Sequence, residues 1–145
     1  MIKILCVGKI KEGYLQDLIN DYLKRISKYH KIEIIELKDD SNYLKETSNL
    51  LEHIKSSDYN IALDIKGKMV TSEEFASIID KTFLTNSTIT FIIGGSLGLN
   101  DEIKSKCQQI ISFSHLTFPH GLFRGILLEQ IYRSFKILNN EAYHK

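Results

Sequence analysis

Two stretches of this chain combine residue types that can do chemistry. Residues 91–101 read FIIGGSLGLND, an apolar run that breaks into glycines and a serine before a helix-like segment. The spacing Gly94-x-Ser96-x-Gly98 fits the elbow that presents a serine nucleophile between a strand and a helix. It fits equally a turn whose bare backbone lies against a ligand, since glycine lets other atoms approach the main chain. The nucleophile reading needs an acid and then a histidine downstream. Glu129 and His144 stand in that order, but Glu129 falls inside a helical pattern and His144 is the penultimate residue. Leu97, Gly98 and Leu99 also separate Ser96 from the helix start at Asn100, which makes a looser loop than the elbow requires. The cradle asks less than the nucleophile, and on these residues alone it stands even with glycines that only make a tight turn. A serine hydrolase using Ser96 is the enzyme alternative, and a catalytically silent nucleotide-binding module is the third.

The second stretch is SFSHLTFPHGLFRG, residues 112–125. Ser114, His115 and Thr117 offer hydroxyl and imidazole groups, and Leu116 and Phe118 offer apolar faces that could sandwich a purine. Pro119 forces Phe118 out of helical geometry and can open the helix that follows. A mixed loop of this kind suits a nucleoside pocket. His115 and His120 have Pro119 between them, so no helix turns both toward one metal ion, and no metal site is expected.

These loops need elements to hold them. Short apolar runs alternate with longer amphipathic ones: strands at 2–7, 31–37, 59–65, 88–94 and 109–114, and helices at 13–29, 42–56, 71–83, 100–108 and 120–138. In the second helix Leu44, Leu51 and Ile54 are expected to face inward. Thr71 with Glu74 reads as a capping box, and Asn100 as a cap. Strict alternation with apolar strands predicts an α/β domain, a parallel sheet with helices on both faces, over the single span 1–145. Ligands of such sheets sit beyond the carboxyl ends of the strands. That directs attention to the turns 7–13, 64–68, 94–100 and 113–121. The first lacks G-x-G-x-x-G, which argues against a dinucleotide fold, and the two richest turns come late.

Composition excludes several classes. With 19 basic and 18 acidic residues, net charge gives no nucleic-acid signal, so RNA contact must come from local clustering. Lys9, Lys11, Lys24, Arg25, Lys28, His30 and Lys31 are such a cluster, or a solvated helix face. Cys6 and Cys107 have no metal spacing and read as reduced, buried thiols. No apolar run approaches the ~18 residues of a membrane span. The N-terminal MIKILCVGKI is too short in its apolar part for a signal peptide, so a cytoplasmic protein is expected.

The segments VGKIKEGY, LDIKGK, IIGGSLGL, SFSHLTFPHGLFRGILLEQIYRSFKI and the terminal AYHK together resemble the SPOUT-class methyltransferases that modify a pseudouridine in 23S ribosomal RNA. The resemblance covers essentially the whole chain and is most specific in the last third. It implies a C-terminal trefoil knot, an exception to the usual rules of chain connection, and S-adenosylmethionine as methyl donor among the late loops. The matching cofactor positions are Leu63, Gly94 and Phe113, Ser114, His115, Leu116, Thr117 and Phe118. A homodimer is also implied, the pocket of one subunit lying near the tail of the other, with the ribosome as the partner that offers the RNA. The reaction is displacement by an imide nitrogen, N3, whose proton must leave. His144 is the candidate base, Arg124 and Arg133 would orient the target base or its phosphate, and Tyr143 would stack on a nucleobase. Water and the arginines stay open as alternatives for the proton, and a frayed tail for residues 143–145. The last helix carries an apolar stripe at Phe123, Leu127, Ile131 and Phe135, part of it a candidate dimer face. Gly121 and Gly125 depart from the family pattern, implying a later helix start or close packing at that point.

Overall fold

A computed structural model describes residues 1–145. The elements run β1 (Ile2–Val7), α1 (Gly13–Ile26), β2 (Ile32–Leu37), α2 (Tyr43–His53), β3 (Tyr59–Met69), α3 (Ser72–Phe83), β4 (Ile89–Ile93), α4 (Asp101–Ser105), β5 (Gln109–Ser112) and α5 (His120–Leu138). All five strands pair in parallel, in the order β2-β1-β4-β3-β5. The two-residue period of the strands sorts the core into two layers. Ile2, Ile4 and Cys6 of β1, with Ile89, Phe91 and Ile93 of β4, meet α1, α3 and α5 on one face. Leu5, Val7, Ala62 and Ile92 meet Leu50 of α2 and Ile103 of α4 on the other. Helices thus cover both faces, as the alternation predicts. From the edge strand β5, the chain returns across the larger layer, where α5 packs against both α1 and α3.

Boundaries differ where a local bond overrides the apolar pattern. Helix α1 stops at Ile26, followed by a turn in which Tyr29 and His30 donate to the Ile26 carbonyl. Helix α4 ends at Ser105, because the Gln108 amide donates to the Asn60 carbonyl and already joins the sheet. Strand β5 ends at Ser112, whose hydroxyl donates to the Ser114 carbonyl and turns the chain. In α2 the buried residues are Thr47 and Leu50, with Leu51 and Ile54 half-buried. Leu44, expected inward, is 77% exposed: it lies in the first turn, where the Asn42 side chain caps its amide.

The largest correction concerns β3. The segment 64–68, read as a strand-to-helix turn, is an excursion inside a strand that continues to Met69. Leu63 and Lys68 both pair with Ile111, so the residues between them bulge out of the ladder. A Cβ on Gly67 would lie 2.8 Å from the Ile110 carbonyl, and only glycine lets β3 come back to β5.

Candidate active site

The bulge in β3 and the loops after β4 and β5 open onto one cleft of about 390 Å³. It is lined by Leu63 where β3 begins to bulge, by Ile93 and Ser112 at the carboxyl ends of β4 and β5, and by His120 and Phe123 at the start of α5. Of the cofactor positions implied by the sequence, Leu63, Gly94, Phe113, Ser114, Leu116, Thr117 and Phe118 line this space. His115 is exposed and does not line it.

The glycine loop closes on itself. The Gly98 amide donates to the Gly95 carbonyl, and Gly98 has φ +74°, in the left-handed region. A Cβ on Gly94 would lie 2.7 Å from the carbonyl of Gly98. The bareness of Gly94 therefore serves first the folding of its own loop, the tight turn that the sequence held even with room for a ligand. Ser96 is exposed at the tip. His144 is bonded to Glu73 and Arg133, and Glu129 to Arg133 and Tyr143, so no acid–histidine pair reaches Ser96. The loop after β5 is shaped by its serines, since the Ser114 hydroxyl accepts from the Leu116 amide at 2.9 Å. That turn leaves the Leu116 side chain 68% exposed at the cleft. Phe118 stacks near Phe123, and Phe113 lies edge-on to Phe75, anchoring the loop in the core. Pro119 is the residue before α5, as its fixed φ allows.

The sequence did not single out Asp64 and Lys104, which also line the cleft and pair at 2.9 Å. Burial pushes the Asp64 carboxyl up. Bonds from the Lys104 ammonium and the Lys66 amide more than offset it, so the carboxyl stays below its ordinary range. Asp64 follows an apolar strand directly, a signal that was readable. Lys104 carried none, since only the fold brings α4 beside β3.

The apolar side chains of Ile65, Leu97 and Leu116 stand exposed around this cleft, with backbone polar groups between them. Its volume lies in the range of small-ligand sites. An adenine, a ribose and a short aliphatic chain with polar ends fit that lining.

The candidate catalytic residues divide. Arg124 is 3% exposed and does not line the cleft. Its Nη1 bonds Glu36 at 2.6 Å, and its Nη2 donates to the carbonyls of Val7 and Gly8. It fastens α5 to the carboxyl ends of β1 and β2, with Nε left without a partner. Arg133, Tyr143 and His144 gather beside the second half of α5, with Glu129 of α5 and Glu73 of α3. Ten residues of helix separate Arg133 from Phe123, about 15 Å, and none of Arg133, Tyr143 and His144 lines the cleft of its own subunit. It is not frayed. Tyr143 donates to Glu129 at 3.1 Å, packs edge-on against Tyr132 and lies under the Arg133 guanidinium, 4.8 Å from the ring centre. Burial, with the Tyr22 and Glu129 contacts, raises the Tyr143 hydroxyl far above its usual range.

The basic cluster of the sequence divides as well. Lys9 and Lys11 precede α1 on the cleft side, whereas Lys28 and Lys31 follow its far end, about 20 Å away along the helix. Arg25 pairs with Asp21, and His30 stacks on Phe83.

A family model described as "Predicted SPOUT methyltransferase" matches residues 1–144, and the chain belongs to the SPOUT methyltransferases. Among curated proteins it is 50% identical to ribosomal RNA large subunit methyltransferase H of Clostridium botulinum (strain Okra / Type B1), over 99% of both chains. It is 45% identical to the protein of the same name from Clostridium acetobutylicum, again over 99% of both. Among solved structures, a probable methylase family protein from Haemophilus influenzae Rd KW20 shares the fold, with a TM-score of 0.59 at 11% identity, over 99% of this chain and 70% of that one.

Proposed function

We propose that this chain methylates large-subunit ribosomal RNA with S-adenosylmethionine as donor, acting at N3 of a pseudouridine of 23S RNA. The observation that carries this reading is the convergence of the two late loops on one cleft beyond the sheet's carboxyl edge. The names of the relatives supply the RNA. The donor brings an activated methyl on a sulfonium, so neither a metal nor a covalent enzyme intermediate is needed.

The chain's own residues bind, align and move a proton. Leu116, Phe118 and Ile65 give the apolar surface for the purine and exclude water. Backbone groups at Gly94, Ser114 and Thr117 give it polar edges. Alignment supplies up to ~7–11 kcal/mol in ideal cases. Tyr143 stacks on a nucleobase, Arg133 draws the RNA in, and His144 takes the imide proton. Arg124 acts at a distance, by fixing where α5 begins. No residue of the tail lines its own cleft, which supports a homodimer in which each tail serves the partner's cleft. With charges nearly balanced, affinity for naked RNA is low, and the assembled ribosome in the cytoplasm is the substrate. The trefoil crossing belongs to the same proposal, supported by the return of α5 from edge strand β5 to α1.

Calorimetric titration with S-adenosylmethionine, then transfer of labelled methyl to ribosomes lacking the modification and mapping of the labelled base, tests the proposal. Binding with label at one pseudouridine is expected. A fluorophosphonate probe labelling Ser96 would instead favour the hydrolase, and binding with no transfer the silent module.

A further inference from the structure

We infer that Glu73 and His144 form a carboxylate–imidazole dyad, in which Glu73 holds the hydrogen on Nε2 and leaves Nδ1 as the accepting atom, making Glu73 a positioning residue for methyl transfer. The catalytic half of this inference rests on the methyltransferase reading; the tautomer does not. His144 Nδ1 lies 3.0 Å from Nη1 of Arg133. A guanidinium has only donors, so Nδ1 must accept. The ring hydrogen of the neutral imidazole is then on Nε2, which lies 2.6 Å from Oε1 of Glu73 and donates to it.

Local structure prepares Glu73 for this. It sits in the first turn of α3, where the helix dipole favours an anion. Thr71 and Glu74 close the capping box between them, leaving the neighbouring carboxylate free for the tail. The hydrogen bond from His144 keeps the Glu73 carboxyl below its ordinary range. The charged and titratable groups around the imidazole are Glu73 of α3, Arg133 and Glu129 of α5, and Tyr143 beside it in the tail, all of one subunit. The dyad is therefore presented as a unit.

Arg133 is the cover. While its Nη1 faces Nδ1, neither ring nitrogen can take a proton. When an RNA phosphate draws the guanidinium away, Nδ1 is bare and Nε2–H still points at Glu73. The proton then moves from the imide nitrogen to Nδ1, the Nε2 hydrogen stays, and Glu73 remains ionised and stabilises the imidazolium. A carboxylate fixing the tautomer of a basic imidazole is the logic of hydrolytic triads, here applied to proton removal.

The test is ¹⁵N NMR of the imidazole in the full-length protein, together with steady-state methyl transfer. Wild type should show His144 as the Nε2–H tautomer. Glu73→Ala, at a side chain 63% exposed and so no threat to folding, should shift that resonance. It should lower kcat on the order of 10²-fold, leave the KM for ribosomes and the donor affinity unchanged, and be partly rescued by Glu73→Asp. A wild-type hydrogen on Nδ1, or a spectrum unmoved by Glu73→Ala, overturns the dyad. Full kcat in Glu73→Ala overturns the positioning role. Full kcat in His144→Gln, while the wild-type tautomer still depends on Glu73, overturns the base assignment and with it the positioning role, and leaves only the dyad.

Discussion

At the scale of single residues, the cleft depends on contacts that leave no room for change. Gly94 is the sharpest case. An alanine there puts Cβ 2.7 Å from backbone that cannot rotate away, so the loop must move. Overpacking of this kind costs about 1–3 kcal/mol. Gly94→Ala should lower the unfolding midpoint and weaken donor affinity by tenfold or more in calorimetry; unchanged affinity would separate the glycine loop from the binding site. Asp64 gives a pH test. Its folded carboxyl is depressed, so its contribution is present above the ordinary carboxylate range and is lost as pH falls through the lower, folded value. Asp64→Asn should therefore melt below wild type at pH 7, where Lys104 loses its partner, and the gap should close on acidification below about pH 4. Melting curves across pH check the sign. Gly94, Leu63 and the 113–118 loop were readable because glycine, hydroxyl and proline signals are local. The Asp64–Lys104 pair joins residues distant in sequence, and no local pattern reports such a meeting.

At the scale of elements, α5 explains the two glycines that break its pattern. A Cβ on Gly121 would lie 2.7 Å from Leu15, and one on Gly125 2.6 Å from Leu18, so α1 and α5 pack closely there and the helix begins at His120. The two sites should respond differently to alanine. Both clashes involve the ends of leucine side chains, but Leu15 is 7% exposed and confined, whereas Leu18 is half-buried and can turn aside. Gly125 also lies deeper in the helix, where alanine gains about 1 kcal/mol in propensity. Gly125→Ala should be within about 0.5 kcal/mol of wild type or slightly more stable, and Gly121→Ala about 1 kcal/mol less stable. Denaturant unfolding measures both, and equal losses would refute the distinction. All ten elements were legible in the sequence, most from the period of their apolar residues and α4 from its Asn100 cap. The bulge in β3 was not, because Gly67 answers to β5, a strand it meets only after folding. The splitting of the basic cluster was hidden for a similar reason: a run of lysines says nothing about the length of helix that separates them in space.

At the scale of the whole molecule, the decisive fact is that no residue of the tail lines the cleft of its own subunit. Within one subunit, Phe123 faces the cleft and Arg133 holds the tail, about 15 Å apart. A single chain holds its own tail outside the lining of its own cleft, through Tyr143 on Glu129 and His144 on Glu73. A two-fold dimer in which one subunit's tail meets the other's cleft would complete the site, and symmetry would then repeat the contact twice over. The sequence showed both sets of residues but not their separation, which exists only once α5 is a helix. Subunit mixing decides between the arrangements. Deleting residues 143–145 should abolish methyl transfer and leave donor binding intact, while Gly94→Ala impairs the cleft and keeps the tail. Unfolded together and refolded at equal amounts, and assayed at a donor concentration too low for Gly94→Ala to fill, the two variants give about half mixed dimers. If the tail serves the partner, the tail-deleted subunit of each mixed dimer has a sound cleft beside a sound tail, and about a quarter of the wild-type sites return. If it serves its own cleft, no subunit in any dimer holds both, and the mixture stays inactive. Recovered methyl transfer thus supports the shared site, and silence, with mixed dimers shown to form, sinks it.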